Sequence, residues 1–153
     1  MKSEWINPFI SNAIDVFEQM ASIKLERTNL SLKEDPTPSN EISIIVGITG
    51  FIQGQVVYSL KGHTAQRIAA AMAPKTANID ADFIESSIAE MANIITGRTT
   101  IQLSGNDKVL HITPPTIIIG KDFSISFVKL KTISVNLTSR FGTIEVNIAI
   151  KEG

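Results

Sequence analysis

A row of polar and small residues along one side of a predicted helix contains the side chains best placed for chemistry. On a helical wheel that starts at Phe83 and advances about 100° per residue, four residues fall within about 60° of one another: Ser86, Glu90, Asn93 and Gly97. Asn and Gly weaken helices, so their place in this row requires a reason. Either the row is a functional site, or Glu90 is a surface charge and Asn93 and Gly97 mark a fraying helix end.

The composition excludes several other kinds of active site. The chain contains no cysteine, which rules out disulfides, thiolate nucleophiles, iron–sulfur clusters and cysteine zinc sites. His63 and His111 are too far apart in sequence to be a spaced pair of metal ligands. No Gly-rich phosphate cradle is visible, which argues against an enzyme acting on a free small-molecule phosphate.

Length and charge predict the broad class of the protein. With 153 residues, 43% of them hydrophobic, we expect one domain over residues 1–153 with a single core. Lys and Arg number 14 against 15 Asp and Glu, with no basic run, so nucleic acid is not an expected partner. No signal-peptide pattern and no apolar stretch of about 18 residues is present, so we expect a cytoplasmic protein without membrane contact.

The spacing Ser86-x-x-x-Glu90-x-x-Asn93, followed by Gly97 and later by a proline, resembles a known signature. It is similar to that of the CheC/CheX/FliY phosphatases of bacterial chemotaxis. In that family Asp or Ser begins the pattern, Glu and Asn follow on one helix, and a distant proline ends it, here Pro114 or Pro115. The order of elements, the single copy of the signature and the chain length resemble CheX over nearly the whole sequence.

This resemblance implies hydrolysis of the aspartyl phosphate on a phosphorylated CheY-type response regulator. Asn93 would align the attacking water, because phosphoryl transfer through a loose transition state needs little early proton abstraction. Glu90 would pair with the regulator's active-site lysine. The protein would need no cofactor of its own, and the Mg²⁺ would be held by the regulator.

Four other residues receive partner-binding roles under the same resemblance. Ser86 would support the interface, and Gly97 would let the partner's backbone approach, although ending the helix explains Gly97 equally well. Arg98 could pair with acidic residues of the regulator or stabilise a helix C-terminus. Pro115 would both end an edge strand and shape the surface beside the helix.

The main alternative is a non-catalytic docking module of the same fold, which would bind a response regulator or a flagellar switch component. The intact pair of Glu90 and Asn93 favours the phosphatase.

Hydrophobic periodicity predicts three helices and one hairpin in the first two thirds of the chain. A polar connection is expected after Lys24-Leu25-Glu26-Arg27, in a stretch that contains Asp35–Asn40, and the third helix should begin with a capping box formed by Asp82 and Glu85. The predicted elements are a helix from Pro8 to Ala21, strands Glu41–Thr49 and Gly54–Leu60, a helix Gly62–Ala73, and a helix ending near Gly97.

The last third of the chain is predicted to be extended. Three segments are followed by a cleanly alternating hairpin: Val109–Thr113, Thr116–Ile119, Phe123–Leu130, then Ile133–Leu137 with Ile144–Ile150. Helices packed on a mostly antiparallel sheet make an α+β fold, and the resemblance implies the CheC-like one.

The first helix repeats the signature spacing as Ser11-x-x-x-Asp15-x-x-Glu18. We interpret it as a decayed copy in a fold with an internal pseudo-twofold repeat. A carboxylate in place of the amide would repel a phosphoryl group, so this copy should be inert. The resemblance also implies a homodimer, for which the C-terminal strands are the expected contact.

Overall fold

The computed structural model describes residues 2–33, 37–38, 40–120, 124–125 and 130–153. The described helices are α1 (Ser3–Ala21), α2 (Gly62–Met72) and α3 (Ala81–Leu103). The described strands are β1 (Glu26–Lys33), β2 (Thr37–Pro38), β3 (Ile42–Gly50), β4 (Ile52–Leu60), β5 (Leu110–Ile112), β6 (Thr116–Ile119), β7 (Ser124–Ile125), β8 (Thr132–Ser139) and β9 (Gly142–Glu152). Most of the predicted segment Phe123–Leu130, and four residues of the predicted polar connection, lie outside the described residues.

One antiparallel sheet of seven strands forms the framework, in the order β1, β8, β9, β4, β3, with β5 and β6 both pairing with β3. The predicted hairpins are confirmed as β3 with β4 and β8 with β9. Strands β2 and β7 form a separate small sheet. Helices on a mostly antiparallel sheet confirm the predicted α+β class.

The core lies between the three helices and one face of the sheet. Side chains alternate along a strand, so every second residue of the central strands faces the helices. Residues from both layers are buried together, including Ile44, Val46, Val146 and Ile148 of the sheet and Phe9, Val16, Met91 and Ile95 of the helices. Among the described helices, none is long and apolar enough to cross a membrane.

Helix α1 begins at Ser3, five residues before the predicted start at Pro8. Proline lacks a backbone N–H, so at Pro8 it removes one helical hydrogen bond near the N-terminus. The Pro8 carbonyl accepts the side-chain amide of Asn12 at 2.8 Å. Pro8 is thus an interior residue of α1 and not its first residue.

The prediction of a polar connection after Arg27 was wrong over most of β1. This strand pairs with β8 along its length, from Glu26 opposite Thr138 to Lys33 opposite Thr132. Its first five residues are exposed, because it is an edge strand with solvent on one side.

The C-terminal strands are not a free edge, contrary to the expected dimer contact. Strand β9 lies between β4 and β8, and β8 lies between β1 and β9. In the described part of the sheet, the outer strands are β1 at one end and β5 with β6 at the other.

The strand order is compatible with the predicted internal repeat. In each half of the chain a helix is followed by an edge element and then by a hairpin: α1, β1, β3–β4, and α3, β5/β6, β8–β9. Each edge element pairs with the hairpin of the other half, and β4 meets β9 at the centre. The repeat itself stays a prediction, which superposition of the halves would test.

Candidate active site

Helix α3 carries the predicted row, and its first turn is capped by Asp80. The Asp80 carboxylate accepts the backbone N–H of Phe83 at 2.8 Å, a standard N-cap interaction. The predicted cap, Asp82, lies inside the first turn instead, where its charge is favourable for the helix dipole.

The helix continues to Leu103, six residues beyond the predicted end at Gly97. Tertiary contacts hold this extension. The Asn12 amide of α1 donates to Thr99 Oγ1 at 3.1 Å and to Gln102 Oε1 at 3.2 Å. Gly97 is therefore an interior helical residue, and the proposal that it ends the helix is wrong.

A buried hydrogen bond fixes the rotation of α3 over the sheet. Thr96 Oγ1 donates to the Ala92 carbonyl at 2.8 Å, so the Tyr58 hydroxyl of β4 donates to Thr96 Oγ1, at 2.7 Å. Burial raises the pKa of the Tyr58 phenol well above its ordinary value, and the bond with Thr96 lowers that pKa by less. Because Tyr58 and Thr96 face the core, the other side of this turn must face solvent.

The predicted row lies on that outer side. Ser86 and Glu90 are exposed, and Asn93 is half-buried. None of the three side chains has a hydrogen-bond or ion-pair partner within the described residues.

Other hydroxyl residues of the same helix behave differently. The hydroxyls of Ser87, Thr96, Thr99 and Thr100 each donate to a carbonyl of the preceding turn, at 2.7 to 2.9 Å. In contrast to these hydroxyls, the side chains of Ser86, Glu90 and Asn93 have no partner within the described residues and are available to an external one.

Gly97 has room for a larger side chain. A Cβ built at this position would have one neighbour within 4 Å, the Ile112 Cδ1 atom of β5 at 3.9 Å. That is ordinary van der Waals contact, so the packing inside this chain does not require glycine here. The absence of a side chain leaves a shallow gap in the row, bordered by β5.

Pro114 and Pro115 lie in the short connection between β5 and β6. Both strands pair with β3 and contact α3, so the structure brings the predicted proline beside the helix that carries the row. Thr113 fixes this connection to β3: its backbone N–H donates to the Gly47 carbonyl at 3.0 Å, and its Oγ1 accepts the Gly47 N–H at 2.8 Å. The doublet interrupts the edge strand, as predicted.

Arg98 is exposed but lies about 80° around the helix from the nearest residue of the row. Its guanidinium donates to Gln19 Oε1 of α1 at 3.0 Å. It is not in the last turn of α3, so the alternative based on the helix C-terminus does not apply. Its role in partner binding stays a prediction.

One further residue on this face, Ile101, was not predicted from the sequence. It lies one turn beyond Gly97 and continues the row on the helical wheel. It is 76% exposed, the most exposed large apolar side chain in the described part of the chain. Placing the helix end at Gly97 hid this continuation.

The described residues contain no group of three or more His, Asp or Glu side chains that could hold a metal ion. The row itself supplies one carboxylate, one amide and one hydroxyl, which suits binding and orientation of an external group rather than metal ligation.

Comparison with known proteins identifies the family. The model of the family "Chemotaxis phosphatase CheX" matches residues 42–138. The chain is 24% identical to the CheY-P phosphatase CheX of Thermotoga maritima, over 100% of this chain and 99% of that protein.

Two solved structures are similar to this chain over nearly its whole length. A CheC-like superfamily protein from Shewanella sp. PV-4 has a TM-score of 0.86 at 23% identity, covering 99% of each chain, and shares the fold. The CheX chain of a CheX–CheY–BeF3–Mg²⁺ complex from Borrelia burgdorferi has a TM-score of 0.80 at 28% identity, covering 97% of this chain and 98% of that one. With a family match over more than half its length, this chain belongs to the CheX family of chemotaxis phosphatases.

Proposed function

We propose that this protein hydrolyses the aspartyl phosphate of a CheY-type response regulator, and that Asn93 and Glu90 carry the reaction. The observation that carries this assignment is the pair of unpartnered side chains on the outer face of α3, in a chain of the CheX family.

Asn93 would position the attacking water. Water attacks phosphorus in line as the bond between phosphorus and the aspartyl oxygen breaks, and the products are inorganic phosphate and the free aspartate, with the water's protons on the phosphate or in solvent. Since the transition state is loose, a neutral amide that holds the water in line is sufficient. The amide can serve because no internal hydrogen bond within the described residues occupies it.

Glu90 would orient the complex. It precedes Asn93 by three residues, a rise of about 4.5 Å on the same side of the helix. An exposed carboxylate here can form a charge-assisted hydrogen bond with the regulator's active-site lysine. Ser86, Gly97, Arg98 and Pro115 would form the surrounding contact surface.

We place the required Mg²⁺ in the regulator rather than in this chain. The Borrelia complex contains Mg²⁺ together with CheY. A cation there would neutralise charge that develops on the phosphoryl oxygens. Because its substrate would be a cytoplasmic signalling protein, we also assign this chain to the cytoplasm.

We further propose a homodimer that uses the β1 edge in place of the C-terminal strands. Leu30 and Leu32 of β1 are 49% and 57% exposed. They pair with Val135 and Ile133, on the face of the sheet that carries the core. A second copy could cover this apolar surface and extend the sheet. Sedimentation at low micromolar concentration should give twice the monomer mass, and a monomer would refute the proposal.

The direct test is to mix the purified protein with the phosphorylated response regulators of its own organism and to time the loss of phosphate. The proposal requires faster loss for at least one regulator. Binding without acceleration would favour the docking module.

A further inference from the structure

We propose that Ile101 is an apolar anchor for the receiver domain of the response regulator, at the opposite end of the row from Glu90. This inference rests on the proposed function and extends it from the reacting groups to the way the partner is held.

The position of Ile101 on α3 distinguishes it from other exposed apolar residues. A single exposed isoleucine is common on protein surfaces and means little alone. Ile101, however, lies on the same face as the row, one turn after Gly97, and its exposure of 76% is the largest among the exposed large apolar residues of the described chain. The others, Leu30, Leu32, Val109, Ile117 and Ile119, lie outside the helices.

The turn that carries Ile101 is held firmly on both sides. Thr99 and Gln102 are tied to α1 through Asn12. Ser104 closes the helix end, since its hydroxyl donates to the Thr100 carbonyl at 2.6 Å and accepts the Leu110 N–H of β5 at 3.2 Å. A side chain presented on so constrained a turn loses little conformational freedom on binding.

The chemical character of the exposed face of α3 changes along the helix axis. Glu90 offers a charge, Asn93 an amide, Gly97 a gap, and Ile101 an apolar contact about 12 Å along the helix from Asn93. A receiver domain bound by its lysine and phosphoryl group at the Glu90 end would place a second part of its surface over Ile101. Burial of an isoleucine there would add affinity without touching the reacting atoms, so it would act on the complex and not on the chemical step.

The test compares Ile101→Lys with Gln66→Lys, which adds the same charge at an exposed position of α2 and removes no hydrogen bond within the described residues. Lysine favours helix at least as well as isoleucine, and both positions are exposed, so both variants should fold. Binding is measured with receiver domains activated by beryllofluoride, and turnover with the phosphorylated forms.

Ile101→Lys should raise the dissociation constant and KM about tenfold and leave kcat unchanged, while Gln66→Lys and Ile101→Leu bind as the native protein does. A native dissociation constant in Ile101→Lys, or an equal loss in Gln66→Lys, overturns the anchor. If the native protein binds an activated receiver through Ile101 but never speeds phosphate loss, the anchor stands and the phosphatase assignment fails.

Discussion

Under the proposed function, replacement of Asn93 by alanine should separate catalysis from folding. The amide has no hydrogen-bond partner within the described residues, and the residue lies in the interior of a helix of 23 residues. Alanine removes no internal hydrogen bond and is the better helix former, by up to about 0.7 kcal/mol. The free energy of unfolding should therefore stay the same or rise slightly.

The rate should change in the opposite direction. Loss of water alignment should slow dephosphorylation by about 10²-fold or more, which corresponds to about 2.7 kcal/mol in activation free energy. Binding of a beryllofluoride-activated receiver should remain near native, because Glu90 and the rest of the row are unchanged.

The assay is single-turnover phosphate loss at saturating phosphatase, with urea unfolding on the same samples. Glu18→Ala is the matched control, since Glu18 of α1 is exposed and has the equivalent place in the repeated spacing. It should leave the rate unchanged. Native activity in a folded Asn93→Ala protein would refute the catalytic assignment.

Three further changes test other parts of the reasoning. Glu90→Gln should weaken receiver binding and slow turnover. Added salt should weaken the native complex but not the complex of the variant, as measured by titration at two ionic strengths. Equal salt sensitivity of the two complexes would contradict the ion pair. Gly97→Ala should raise the free energy of unfolding by up to about 1 kcal/mol, since a Cβ fits at this position. The same change should weaken receiver binding. Unchanged affinity would exclude a close approach of the receiver's backbone to Gly97. Tyr58→Phe should lower the free energy of unfolding by about 1 kcal/mol in urea titrations at neutral pH. Because the pKa of Tyr58 is raised in the folded state, the unfolded phenol loses its proton first, so native stability should fall as pH rises above about 10, and this component should vanish in the variant. The chain has one tyrosine, so phenolate absorbance should appear together with unfolding, and earlier ionisation would contradict the buried hydrogen bond.

The row on α3 could be predicted because it is a local feature. A period of 3.6 residues sorts side chains to the two sides of a helix regardless of what covers them. The two ends of this helix could not be predicted from local sequence alone. Asp80 and Asp82 are both suitable caps by type, and only the backbone shows that Asp80 accepts the bond. Beyond Gly97, hydrogen bonds to α1 hold the last turns together, and no sequence pattern displays them.

Strand β1 was missed for a related reason. Its sequence is polar because one side of it faces solvent, and its strand conformation depends on pairing with β8, more than 100 residues away. The predicted dimer contact at the C-terminal strands was wrong for the same reason. Clean alternation in β8 and β9 indicates that one face of the hairpin is buried, but it does not show which strand edges are already paired.

In the proposed reaction the row would act by positioning a water molecule and the partner, so its contribution would depend on how rigidly the fold holds α3. The amide of Asn93 can lower a barrier only if its position is set before the partner arrives. Helix α3 is held at its start by the Asp80 cap, in its middle by Tyr58 and at its end by Ser104. These bonds leave the row itself untouched, so the residues that make α3 rigid are separate from those that would act on the phosphoryl group. Loss of Tyr58 should therefore loosen the position of Asn93 and lower kcat without altering any group that meets the partner.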